Sequence, residues 1–163
     1  AVKDCKGPVY IRFGREAVPD FMPENIETTI GKGQLIKDGK DISIIATGHM
    51  VWEALQAAKM LEMKGVKARV INIHTIKPLD QEIIIEAARE TKKIVTVEEH
   101  QVFGGFGSAV AEVVAQHCPV KMKIIGVKDT FGESGQPDEL MEKYGLNAVS
   151  IFTEAMLLMN DSK

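Results

Sequence analysis

The sequence predicts an α/β fold: a three-layer α/β/α sandwich of about five strands, mostly parallel with one antiparallel edge strand. Three observations carry that expectation. Short β-rich apolar runs alternate with amphipathic helical stretches, the pattern of a parallel sheet covered on both faces. At 163 residues, 45% apolar and 26% charged, the chain suits one soluble domain with a proper core. A Gly-containing turn, Lys37-Asp38-Gly39, precedes the first core run and suits an antiparallel hairpin at a sheet edge.

The elements follow in order. Residues 8–13 look like a strand, and an irregular segment with Pro19 and Pro23 comes next. Residues 32–36 form a short strand joined by the Gly39 turn to residues 41–47 (DISIIAT), a buried strand ended by Gly48. Residues 50–64 carry Val51, Leu55, Ala58 and Leu61 at helical spacing, closed by Gly65. Residues 66–73 are the next strand. Pro78 suits the first turn of a helix over residues 79–90. A third core strand spans 92–97, a helix 103–117 and a fourth core strand 121–127. Two helices close the chain, 137–144 stopped by Gly145 and 148–159. The crossovers of such a β-α-β-α-β-α-β succession are right-handed. A boundary falls near residues 17–30.

Charge and composition exclude several classes of function. A net charge of −3 and a pI near 5.8 favour neither nucleic acid nor an anionic membrane. No apolar run of the roughly 18 residues needed for a membrane span is present, and the N-terminus lacks the apolar core of a signal peptide. Cys5 and Cys118 match no metal or redox spacing, so a reducing, cytoplasmic home is expected. The missing initiator Met suggests a fragment or an engineered chain.

Several groups are candidates for chemistry. The loop with Gly104, Gly105, Gly107 and Ser108 lies between a strand and a helix, where N–H groups can meet a phosphate, and Asp129 ends the next strand as a ribose-binding acid would. Val110 stands where the dinucleotide fingerprint needs its third glycine, and Glu98-Glu99-His100 opens the loop in place of a tight turn. Close strand-to-helix packing is therefore the expected role of these glycines. Glu98, Glu99 and His100 end a parallel strand, where α/β sheets place sites; a polar strand end or a subunit contact fits them equally. His49 and His74 follow earlier strands in the same sense, and His117 complements a helix C-terminus. No helix carries His at metal-binding spacing, and no metal site is expected. Arg12 and Arg15 flank Gly14; guanidinium groups suit phosphate, while a surface ion pair with Glu16 is the competing reading.

Five segments, in order, carry a family resemblance: residues 7–16 (GPVYIRFGRE), 38–51 (DGKDISIIATGHMV), 77–80 (KPLD), 98–110 (EEHQVFGGFGSAV) and 131–146 (FGESGQPDELMEKYGL). Together they resemble the C-terminal third of transketolase, a thiamine-diphosphate-dependent enzyme. The resemblance implies that residues 1–24 are the last strand and linker of a pyrimidine-binding domain and that residues 25–163 are the C-terminal domain. It also implies transfer of a two-carbon ketol unit between sugar phosphates in the pentose phosphate pathway. Arg15 matches the family arginine that holds substrate phosphate, with Arg12 in support; His100 and Glu99 fall at a subunit interface or cleft. No Gly-Asp-Gly stretch with a later Asn is present and the activating Glu belongs upstream, so the resemblance implies that thiamine diphosphate and Mg²⁺ bind elsewhere in the complete enzyme. The chain alone is then inactive, and its partners are the diphosphate- and pyrimidine-binding domains in a homodimer or heterotetramer. Deoxyxylulose-phosphate synthase and the β subunit of 2-oxoacid dehydrogenases share this domain and remain alternatives. So does a stand-alone nucleotide-binding regulatory or scaffold module.

Overall fold

The computed structural model describes residues 5–12, 17–22, 26 and 28–161. Its elements run β1 (Gln34–Lys37), β2 (Ile42–Ala46), α1 (Met50–Glu62), β3 (Ala68–Asn72), α2 (Gln81–Thr91), β4 (Lys93–Gln101), α3 (Phe106–His117), β5 (Lys121–Val127), α4 (Pro137–Lys143) and α5 (Ala148–Asn160). The strands form one sheet in the order β1-β3-β2-β4-β5. β1 is antiparallel to β3 and the other neighbours are parallel.

All five residues of β2 are buried, as a central parallel strand covered on both faces requires. Successive side chains point to opposite faces. Ile44 and Ala46 join Val95 and Val97 under α1 and α5, whereas Ile45 joins Ile71 and Ile94 under α2 and α3. α1 meets this core with Met50, Val51, Ala54, Ala57, Ala58 and Leu61, a stripe at helical spacing. Gly65, at φ +79°, then turns the chain, and the Val66 N–H bonds back to Leu61 O. α5 is capped from a distance as well as locally: Asn147 Oδ1 accepts from the Ser150 N–H, and Glu53 Oε2 of α1 accepts from the Ala148 N–H at 2.7 Å.

Three expectations are corrected. The edge strand pairs with β3, with Gln34 opposite Asn72, and not with β2 as a hairpin would. Both sides of β2 are taken by parallel neighbours. The chain also passes close to the start of β3, where a Cβ on Gly39 would lie 2.3 Å from the Ala68 carbonyl carbon. Pro78 stands before α2, not in its first turn. It follows a cis peptide bond, and Asp80 is the N-cap, its Oδ1 accepting from the Ile83 N–H and its Oδ2 from the Gly33 N–H. The strand expected over residues 8–13 is not formed at residues 8–12, where Tyr10 stands 89% exposed with no neighbouring strand to bond, and Phe13 lies outside the described residues.

Candidate functional site

β2 is followed by α1 on one face of the sheet and β4 by α3 on the other, so the carboxyl ends of these neighbouring strands splay a crevice. This switch point is where open α/β sheets place ligands. A cleft of about 410 Å³ sits there, lined by Thr47, Gly48 and His49 after β2, Ile76 after β3, Glu98, Glu99 and His100 of β4, and the start of α3. A second cleft of about 390 Å³ shares His49 and Glu99 and adds Ala17, Met141 and Gln136 to Asp138.

The deepest group is Glu98, 2% exposed. Its carboxylate accepts from the Phe106 N–H at 2.6 Å and the Gly107 N–H at 2.7 Å. The positive end of α3, which a phosphate would use in a nucleotide site, is thus filled by the protein's own anion. The glycines make that approach possible. A Cβ on Gly105 would lie 2.2 Å from Gln101 O and 2.4 Å from Glu98 Oε2; one on Gly107 would lie 2.5 Å from Ile124 Cγ2 and 2.6 Å from Thr96 Oγ1. Gly104 adopts φ +71°, and its N–H bonds Ser108 Oγ, which in turn donates to Val102 O. Asp129 is engaged too, exchanging two hydrogen bonds with the Gln101 amide, at 2.9 and 3.0 Å.

The cleft gathers two of the three strand-end histidines. His100 is exposed, its Nδ1 3.2 Å from Gln101 O and 4.0 Å from Glu98 Oε2. His49 lines both clefts, and the exposed Glu99 lies between them. His74 is not part of the group: its Nδ1 pairs with Thr75 Oγ1 at 2.9 Å and its Nε2 is buried. Arg12 is exposed on the segment before the domain, and Arg15 lies outside the described residues. Among the described residues, no group of three His, Cys, Asp or Glu side chains is placed to hold a metal ion, and no helix is long and apolar enough to cross a membrane.

Sequence spacing pointed to the loop but not to Glu98 as its anchor. A capping box places acid and amide three residues apart, whereas Glu98 reaches amides eight and nine residues ahead across a turn.

Residues 31–151 match the family described as the transketolase C-terminal domain. The chain is 47% identical over 149 residues to a 6-deoxy-6-sulfo-D-fructose transketolase subunit of Clostridium sp. (strain MSTE9), covering 91% of this chain and 46% of that protein. It is 43% identical over 153 residues to the 1-deoxy-D-xylulose-5-phosphate synthase of Heliobacterium modesticaldum, covering 91% of this chain and 23% of the synthase. A solved structure described as a split gene transketolase, inactive beta4 tetramer, superposes with a TM-score of 0.86 at 44% identity, covering 91% of this chain and 49% of that one. The chain therefore spans about half the length of the transketolase relatives and about a quarter of the synthase. On a match that runs through all five strands, the chain belongs to the transketolase C-terminal domain family.

Proposed function

We propose that this chain is the C-terminal portion of a transketolase that moves a two-carbon ketol unit between sugar phosphates, and that it supplies a supporting wall and not the cofactor site. The observation that carries the second half is the filled N-terminus of α3. Glu98 holds the two amides that a diphosphate would need, and its charge repels one. The residues present do not fit thiamine diphosphate. The reading therefore assigns that cofactor and its Mg²⁺ to the diphosphate- and pyrimidine-binding portions of a complete cytoplasmic enzyme. Residues 1–24 finish the preceding domain in this reading, residues 25–163 form the C-terminal domain, and Arg15, supported by Arg12, faces substrate phosphate. His100 and Glu99 face a partner domain. The transketolase activity is supported by relatives that carry it in their names and share 44–47% of residues over more than nine-tenths of this chain.

A 1-deoxy-D-xylulose-5-phosphate synthase is the second reading, favoured by the 43% identity to the Heliobacterium enzyme. Two measurements separate the possibilities. Calorimetry on the isolated chain is expected to show no saturable, Mg²⁺-dependent binding of thiamine diphosphate; such binding would overturn the assignment of its missing parts. Joined to the cofactor-binding portion, the chain is expected to turn over ketose phosphate with an aldose phosphate acceptor. Formation of 1-deoxy-D-xylulose 5-phosphate instead would decide for the synthase.

A further inference from the structure

Residues 17–22 lead into the domain from the amino-terminal side, and the chain there is attached at one place. Of residues 5–12 and 17–22, only Phe21 and Met22 are not exposed. Phe21 packs against the core layer beneath α1 and α5, and its ring stands 5.7 Å from that of Trp52, tilted by 36°. At that separation aromatic rings attract one another beyond the area they bury. Lys59 Nζ, two turns further along α1, lies 5.8 Å from the centre of the Trp52 ring, close enough for a cation–π contact. The half-buried indole is thus contacted both by the incoming chain and by its own helix.

The anchored segment runs beside the candidate site. Trp52 stands in the first turn of α1, three residues after His49. Four residues before Phe21, Ala17 lines the cleft formed with His49, Glu99, residues 136–138 and Met141. The chain from Ala17 to Phe21 therefore passes along the carboxyl end of the sheet, from that cleft to the start of α1. Pro19, whose ring fixes φ, stiffens this short run. In sequence Arg15 comes two residues before Ala17, and two residues span at most about 7 Å of extended chain. Whatever holds Ala17 holds, within that reach, the chain that carries the arginine.

We propose that Phe21 seated on Trp52 is a latch that sets the path of this segment, and that the two are positioning residues for the phosphate-binding arginine of the proposed reaction. The proposal rests on the phosphate role assigned to Arg15. A side chain that the reading gives to the preceding portion is then held by this domain, and the alignment of the two portions depends on one aromatic pair. Both rings act through the chain and not on substrate.

Trp52 is the sole tryptophan, so its fluorescence reads the latch directly. In the isolated chain, Phe21→Ala is expected to uncover the indole and move its emission to longer wavelength, with circular dichroism unchanged. Phe21→Tyr, which keeps a ring, and Tyr10→Ala, at an 89% exposed position upstream, are expected to leave the emission where it is. An unmoved emission in Phe21→Ala overturns the latch. In the enzyme assembled with its cofactor-binding portion, Phe21→Ala is expected to raise KM for phosphorylated acceptors roughly tenfold, the scale of a binding group held off its place, with kcat little changed. Phe21→Tyr should restore KM, and an unphosphorylated aldehyde acceptor should be unaffected. A shifted emission with the wild-type KM overturns the positioning role and leaves Arg15 where the reading puts it. Equal slowing of both acceptors by Arg15→Ala defeats the reading itself, and the positioning role falls with it.

Discussion

A carboxylate at 2% exposure has lost its water and needs donors in return. Glu98 finds them in the two amides that open α3, where the helix dipole adds to the attraction. Glycines 105 and 107 are required by this arrangement for lack of space and not for handedness, since Gly105 sits at φ −81°. Of the three glycines in this loop, only Gly104, at φ +71°, uses the left-handed region that favours glycine. Glu98→Gln keeps the shape but turns one carboxylate oxygen into an NH₂ that faces a backbone N–H. Losing a charged hydrogen bond and leaving a buried donor unpaired is expected to lower stability by about 1.5–3 kcal/mol, read by urea denaturation. A loss below about 0.5 kcal/mol would show that the α3 amides are satisfied by water.

Elements are tied to one another by charged groups that cross between layers. Arg69 on β3 is buried and donates to Asp38 Oδ1 from Nε at 3.1 Å and from Nη2 at 2.8 Å. It also pairs with Glu90 of α2. The turn between β1 and β2, the strand β3 and the helix α2 thus share one guanidinium. The hydrogen bonds from Arg69, with that from the Gly39 N–H and the charge of the guanidinium, hold the Asp38 carboxyl below its ordinary 3.8. A depressed folded-state value means that the contribution is fully present above about pH 4 and fades as pH falls through the lower folded value. Asp38→Asn is therefore expected to be less stable than wild type at pH 6, with the gap closing as pH drops below 3.8. Denaturation midpoints of both proteins between pH 2 and pH 7 check this; a gap that stays constant with pH would assign the effect to shape and not to charge. Across the same edge, Asp80 caps α2 and holds the Gly33 N–H at 2.9 Å, so one side chain sets both where α2 begins and where β1 lies.

At the scale of the whole molecule, the proposed enzyme places Arg15 at substrate phosphate. A guanidinium pairs with two phosphate oxygens at once. Its removal in the complete enzyme is expected to lower kcat/KM for phosphorylated acceptors by roughly ten- to a hundredfold, the equivalent of about 1.5–3 kcal/mol. Lysine at position 15 should recover only part of that. An unphosphorylated aldehyde acceptor should be little affected; equal slowing of both acceptors would make Arg15 structural. The kind and order of the elements were legible in the sequence because they rest on local signals. The apolar run of β2, the stripe on α1, the turn at Gly65 and the stop at Gly145 each act within a few residues. Glu98 as the cap of α3, β3 as the partner of β1, and a cleft that joins His49 and His100 but leaves out His74 were not legible. Each depends on which strands lie side by side. Strand order follows from how two buried faces pack across the sheet, and residues far apart in the chain meet only once that packing is made.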